Sequence, residues 1–296
     1  MRHGAPSNQF SAIETKMRER ATEIMTEGKA SRVLAWKKGV LTAYPEPGFF
    51  EGADELDELV YNRFCSVNLS KFLINAGKEP GNIMVFLRPC DSFSLNQLLK
   101  ENQVRQEKLY VVGIGCGGCV KVENGEEKGM LEGCRVCTKT THPICDELIG
   151  EDFAPRETSD ENVRFEDVIK LENASSEERF DFWRSQLSRC IRCNACRNTC
   201  PTCHCRNCVF DSEKYDSRQK VSITSFEDQM FHIIRAYHVA GRCTDCGQCV
   251  NVCPQNIPLQ LLNRKFIKDI NELYGRYQAG ENIETPSPLT HFELEG

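Results

Sequence analysis

The sequence predicts an α/β N-terminal domain with a partly parallel sheet, followed by an all-α domain. Three observations carry this expectation. A buried-strand pattern (Ile83–Arg88), a helical stretch (Ser92–Asn102) and a second strand pattern (Lys108–Ile114) follow one another at the spacing of a β-α-β crossover, whose two strands run parallel. After Ser175 the apolar residues instead recur every three or four positions, the period of a helix packed on one face. Finally, the eighteen cysteines divide into seven between Cys65 and Cys145 and eleven between Cys190 and Cys253, on either side of an acidic stretch.

Taken in order, residues 9–27 read as a helix and Arg32–Trp36 as a short strand. Asp54–Ala76 reads as helical with a break near Cys65. In the crossover that follows, Cys90 lies just past the first strand and Cys116 just past the second, at the carboxyl ends where ligands gather on parallel sheets. Glu151–Glu178 holds ten acids and three bases and few large apolar residues, so it reads as a solvated connector. Ser175-Ser176-Glu177-Glu178 fits a capping box. Phe180, Trp183 and Leu187 then share a helical face. A second helix is expected over Phe226–Ala240, with Phe226, Met230, Ile233, Ile234 and Tyr237 apolar. A third is expected from Pro258 to Tyr274, with Leu259, Leu262, Phe266, Ile270 and Leu273 on one face. These stripes are read as core packing. The resulting division is 1–150 for the α/β domain, 151–175 for the linker, 176–278 for the helical domain and 279–296 for a loose tail.

Composition excludes several classes. Forty-three acidic against thirty-seven basic residues leave a net charge of −6, which gives no footprint for nucleic acid. The longest apolar runs are strand-sized, well short of the roughly twenty residues of a membrane helix. No apolar signal-peptide core follows Met1-Arg2-His3-Gly4, so an intracellular, cytoplasmic chain is expected, with its cysteines on metal and not in disulfides.

Two motifs are highly specific. Cys190-x2-Cys193-x2-Cys196-x3-Cys200-Pro201 and Cys243-x2-Cys246-x2-Cys249-x3-Cys253-Pro254 are the same bacterial ferredoxin run, present twice. Three cysteines at this spacing wrap three irons of one cubane, and the fourth reaches the other cluster. One 4Fe–4S cluster is therefore assigned to Cys190, Cys193, Cys196 and Cys253, and the other to Cys243, Cys246, Cys249 and Cys200. Zinc sites pair their ligands differently. Forty-two residues separate the runs, enough for a helix, which indicates an α-helical two-cluster ferredoxin domain. Cys203, Cys205 and Cys208 are expected to be buried or packed against a cluster, and His232 and His238 to be ordinary surface or core histidines.

A third site is less determined. Cys116-x2-Cys119 with Cys134-x2-Cys137 suits a zinc ribbon or a third 4Fe–4S cluster equally, with Cys90 and Cys145 as further candidates and Cys65 expected in the core. Gly113-x-Gly115-x2-Gly118 has the outline of a dinucleotide fingerprint but contains Cys116 and runs into no evident helix.

In order, Arg-Pro-Cys-Asp (88–91), Gly-Ile-Gly-Cys (113–116), Cys-x2-Cys (134–137), Cys-Asp-Glu-Leu-Ile-Gly (145–150) and the first run continued as Cys-Pro-Thr-Cys-x-Cys resemble one superfamily. Its members are the iron–sulfur β subunits of deazaflavin-linked hydrogenases and dehydrogenases, with the sulfhydrogenase β subunit and the anaerobic sulfite reductase A subunit. The resemblance spans about residues 55–275 and implies a third cluster on Cys90, Cys116, Cys134 and Cys137. Cys119 is a departure from the pattern and keeps a Cys116–Cys119 pairing open. Cys145 stands where similar sequences carry Tyr, which speaks against it as a ligand.

No catalytic acid, base or nucleophile constellation is visible. The expected function is an electron-transfer subunit of an anaerobic complex of the hydrogenase, formate dehydrogenase or heterodisulfide-reductase kind, partnered by catalytic and flavin-containing subunits. The alternative is a flavin-containing subunit that itself oxidises or reduces a deazaflavin or nicotinamide coenzyme. Only seventeen residues separate Cys116 from Cys134, which leaves little room for a flavin-holding insertion. A cluster-based sensor is a third reading, for which so many adjacent ligands are more than is needed.

Overall fold

The computed structural model describes residues 7–40, 44–123, 126–150, 161–211 and 226–290. Expectations for Met1–Gly4, for 151–160 of the connector, for the Phe226 side chain and for 291–296 lie outside the described residues. Two compact units are present: residues up to 159 with 280–284, and residues 160–279 with 285 onward.

The first unit is built on a five-stranded sheet. Helix α1 (Ser7–Thr26) buries Phe10, Ile13, Met17, Ala21 and Ile24, one stripe at helical spacing. Strand β1 (Arg32–Lys37) pairs antiparallel with β2 (Glu46–Phe50), then parallel with β3 (Ile83–Leu87). β3 pairs parallel with β4 (Leu109–Ile114), in register Ile83 opposite Leu109. The sheet order is β2-β1-β3-β4, closed on the far side by a short later strand, Glu147–Ile149, parallel to β4. Every residue of β3 is buried, as a central strand covered on both faces requires.

Asp54–Ala76 is not one broken helix. It holds a 3-10 segment, Ala53–Glu58, and helix α2 (Ser70–Ala76). Between them the backbone turns outward to pair with β1: Lys38 N–H donates to Glu58 O and Val60 N–H to Trp36 O. Leu56, Leu59, Tyr61 and Leu69 are buried, so the apolar spacing reports real burial, but the main chain is not helical there: Leu59 O accepts from the Arg18 guanidinium and Tyr61 N–H donates to the Glu14 carboxylate. Helix α3 (Pro89–Lys100) also starts earlier than predicted. Proline suits the first helical position, and Asp91 in the first turn accepts Arg88 N–H at 3.3 Å. Cys90 thus sits in the first turn of a helix.

After β4, strands β5 (Val120–Glu123) and β6 (Glu126–Met130) form a hairpin, followed by the single turn α4 (Glu132–Arg135) and then β7 (Glu147–Ile149).

The second unit is helical among the described residues. The connector is helical from α5 (Glu161–Asn173), contrary to the solvated reading. Its stripe is short: Arg164, Phe165 and Val168 are buried, and only two of the three are apolar, so composition hides it. The capping box holds at α6 (Ser176–Ser188), where Glu178 N–H donates to Ser175 Oγ and Ser175 N–H to the Glu178 carboxylate. The single turn α7 (Ala195–Asn198), α8 (Phe226–Val239), the single turn α9 (Gln248–Asn251) and α10 (Leu259–Tyr274) complete it.

The core-packing reading of the stripes is corrected at three positions: Phe180, Tyr237 and Leu273 are 61%, 63% and 74% exposed. On α10 the buried face is rotated to Leu259, Gln260, Asn263, Arg264, Ile267 and Ile270, because polar side chains on it serve the cysteine loops. Ser287 is buried against Gly241, where an added Cβ would lie 2.4 Å from Ser287 Oγ and φ is +68°. No described helix is long and apolar enough to cross a membrane.

Phe86, fully buried on β3, tests the sheet core. Phe86→Ala is expected to cost about 3–5 kcal/mol, read by denaturant unfolding. A cost below about 1 kcal/mol would contradict a close-packed centre there.

Candidate metal centres

Each ferredoxin run folds as a loop that leads into one helical turn. Cys190 follows α6 and Cys196 lies in α7; Cys243 follows α8 and Cys249 lies in α9. The residues flanking the middle cysteine are left-handed in both loops: Arg192 (φ 54°) and Asn194 (φ 59°), then Asp245 (φ 54°) and Gly247 (φ 75°). Side chains other than glycine enter this region at a cost. Its recurrence at matching positions marks a backbone imposed by the cysteine spacing. The conformation turns main-chain N–H groups toward sulfur, as anion-binding nests do. Arg192 N–H donates to Cys190 Sγ at 3.4 Å, and the Asp245 N–H bonds the Cys243 thiol.

Cys190, Cys193, Cys196 and Cys253 line one cavity, together with Phe231, His232, Ile257 and Leu259. Three come from the first run and the fourth from the end of the second. Cys193 is exposed, whereas Cys190 and Cys196 are buried. Burial pushes the Cys196 thiol up to about 12. Ligation of iron needs the thiolate, so loading this site releases that proton.

The remaining four thiols are also neighbours. Burial raises Cys243 well above its ordinary value, and the next contributions come from Asp245, Cys200 and Cys246. Cys249 is raised by burial and by Cys200. The Cys203 thiol hydrogen-bonds the Cys200 thiol, holding Cys200 low and Cys203 high. Of the three extra cysteines, Cys203 and Cys208 are half-buried, but Cys205 is exposed, which corrects the expectation for that residue. His204 lies 2.8 Å from Arg242 through Nε2.

Polar side chains hold these loops, and sequence reading missed them. His232 is buried with Nε2 3.1 Å from Cys190 Sγ, and burial with the nearby Arg235 and Arg192 charges pushes it down to about 3, so it is neutral. Asn263 Nδ2 donates to Cys249 Sγ at 3.8 Å. Asp245 takes Arg164 Nε at 2.8 Å and Arg264 Nε at 3.1 Å, and Gln260 Nε2 donates to it as well. This buried Arg–Asp–Arg cluster ties the second loop to α5 and α10. The only signal in the sequence was polar residues at core spacing on helices beside a cysteine run. His238, by contrast, is exposed, as expected.

In the first unit the hairpin β5–β6 brings two cysteine pairs together. Its base places Leu131 N–H on Cys119 O at 2.9 Å, and Cys119 N–H lies 3.4 Å from Cys134 Sγ. Burial raises the Cys90 thiol well above its ordinary value; Cys116 and Cys137 are among its charged neighbours, as Cys116 and Cys134 are for Cys119. Cys119 is buried and accepts Arg88 Nη1 at 3.2 Å. Arg88 is itself buried, forked onto Asp91 (Nε–Oδ2 2.7 Å, Nη2–Oδ1 2.9 Å) and stacked 4.9 Å from the Trp36 ring. Cys65 is fully buried, its thiol pushed up to about 12 by burial. Cys145 is exposed.

Residues 186–257 match the 4Fe-4S dicluster domain family. Over most of its length the chain is similar to the F420-dependent formate dehydrogenase subunit beta of Methanocaldococcus jannaschii, at 24% identity with 88% of this chain and 90% of the relative covered. It is also 24% identical to the F420-dependent formate dehydrogenase 1 subunit beta of Methanococcus maripaludis, with 90% of each covered. These deazaflavin-linked homologues support the iron–sulfur β-subunit superfamily. The first alignment is 345 positions long, more than the 296 residues here, so that relative holds segments this chain lacks.

Asp245→Asn leaves two buried guanidiniums without their countercharge. It is expected to cost about 3–5 kcal/mol, lowering the denaturant midpoint of the full chain. An effect below about 1 kcal/mol would show that the cluster does not hold the second loop.

Proposed function

We propose that this chain is the iron–sulfur electron-transfer subunit of a formate dehydrogenase-like complex, passing single electrons to or from a catalytic partner subunit. The observation that carries the reading is the cavity lined by Cys190, Cys193, Cys196 and Cys253, drawn from both runs of the dicluster domain. In this reading those four residues hold one 4Fe–4S cluster, and Cys200, Cys243, Cys246 and Cys249 hold the other. Such clusters supply one-electron transfer. Cys90, Cys116, Cys134 and Cys137 hold a third cluster, the set that the family resemblance implies, while Cys119 lies beside Cys134 and accepts from Arg88. All eighteen cysteines are free, which suits a reducing compartment, taken here as the cytoplasm.

A second reading draws on the relatives' names: a subunit that reacts with F420 itself through a bound flavin. The segment between Cys116 and Cys134 supports it poorly, because β5 and β6 occupy most of it. Flavin bound to the purified chain would favour this reading over the first.

Iron and acid-labile sulfide, measured on the chain purified without oxygen, test the cluster assignments. About twelve irons per chain are expected, at four per cluster. Cys193→Ala and Cys246→Ala are each expected to lose about four irons and to destabilise the C-terminal unit, since ligation contributes to folding. Unchanged iron in either would remove its cysteine from the assignment. Cys90→Ala is expected to lose about four irons and Cys119→Ala none; the reverse pattern would put Cys119 in place of Cys90 as the fourth ligand of the third site.

A further inference from the structure

Helix α8 turns one polar stripe inward. His232 and Arg235, three residues apart and so on one face, are 1% and 3% exposed. Among the described residues His232 reaches the first loop, through Cys190. Arg235 is placed differently. Among the described residues, none of its three buried guanidinium nitrogens has an oxygen or nitrogen partner. After burial itself, the groups that act on its charge are the thiols of Cys249, Cys200, Cys196 and Cys203. Cys196 belongs to one proposed cluster, and Cys200 and Cys249 to the other.

A guanidinium buried without a countercharge costs several kcal/mol. Among the described residues no carboxylate pairs with Arg235. Asp245 is already committed to Arg164 and Arg264. Thiolates that carry iron would supply the missing negative charge on two sides at once. We propose that Arg235 is a fixed countercharge shared by both clusters, a positioning residue that makes each easier to reduce. The inference rests on the two-cluster reading above. Reduction adds one electron, hence one negative charge, to a site facing a cation that neither moves nor titrates. Net charge and hydrogen bonding to sulfur are among the properties that set such potentials.

The test uses the full chain purified without oxygen, with iron analysis and a redox titration followed by electron paramagnetic resonance. Arg235→Gln is expected to keep its iron while both C-terminal midpoints fall, each by at least tenfold in the reduction equilibrium, or about 59 mV for a one-electron couple. Arg235→Lys keeps the charge and is expected to stay within a few-fold of the unsubstituted chain. His232→Gln is expected to move only the Cys190 cluster. Full iron in Arg235→Gln with unmoved midpoints, or with only one moved, overturns the shared role. Iron lost from both the Gln and Lys variants also overturns it, and assigns Arg235 to holding the unit together. Fewer than about eight irons in the unsubstituted chain overturns the two-cluster reading itself, a failure distinct from the others.

Discussion

The helical unit depends on keeping charge and polarity inside a small core. Cys190, Cys196, Cys249, His232, Arg235, Asp245, Asn263 and Arg264 are all buried there, beside only a handful of apolar residues such as Leu187, Phe231, Ile257 and Leu259. An apolar core of that size stabilises a domain weakly. Buried polar groups are tolerated when they are answered, and most of these answer one another, carboxylate to two guanidiniums, main-chain N–H to sulfur, imidazole and amide to sulfur, with Arg235 the exception. Ligation of iron supplies the interaction that the protein groups alone leave open, which is why metal and fold are coupled in such domains.

The α/β unit solves the opposite problem. Its sheet is closed by apolar side chains on both faces of β3, and a buried cation sits where β3 ends. There Arg88 is buried by satisfying its fork completely, on Asp91, on main-chain oxygens and on Cys119 sulfur. The guanidinium stitches the 65–67 segment to the first turn of α3. Cys90 and Cys119 therefore share one buried cation and one neighbouring thiol, Cys116, and differ in the next, Cys137 for Cys90 and Cys134 for Cys119.

How much of the molecule is legible in its sequence follows from the range of the forces involved. Cysteine spacing is a local constraint, so the two runs, the crossover Ile83–Ile114 and the capping box at Ser175 can all be read from residue order alone. β2, β5, β6 and β7 cannot, since short strands such as Glu126–Met130 are polar and exist through their partners. The segment 59–69 misleads because burial periodicity does not reveal where a main-chain hydrogen bond goes. His232, Arg235 and Asn263 escape notice for a related reason: a polar residue on a helix reads as solvated until its neighbours are known. Asp245 lies in plain view inside Cys243-x2-Cys246, but its partners Arg164 and Arg264 are 81 and 19 residues away.

The matched left-handed residues of the two loops separate shape from charge. Arg192 and Asp245 occupy the same place in the two backbones with opposite sign, and Asn194 and Gly247 pair an amide side chain with none. Because the turn is set by dihedral angles that several small or polar residues tolerate, substitutions there change the local field and leave the cradle's form intact. A duplicated scaffold of this kind can diverge in electrical character one half at a time, so that two copies of one motif become unequal stations along a single path.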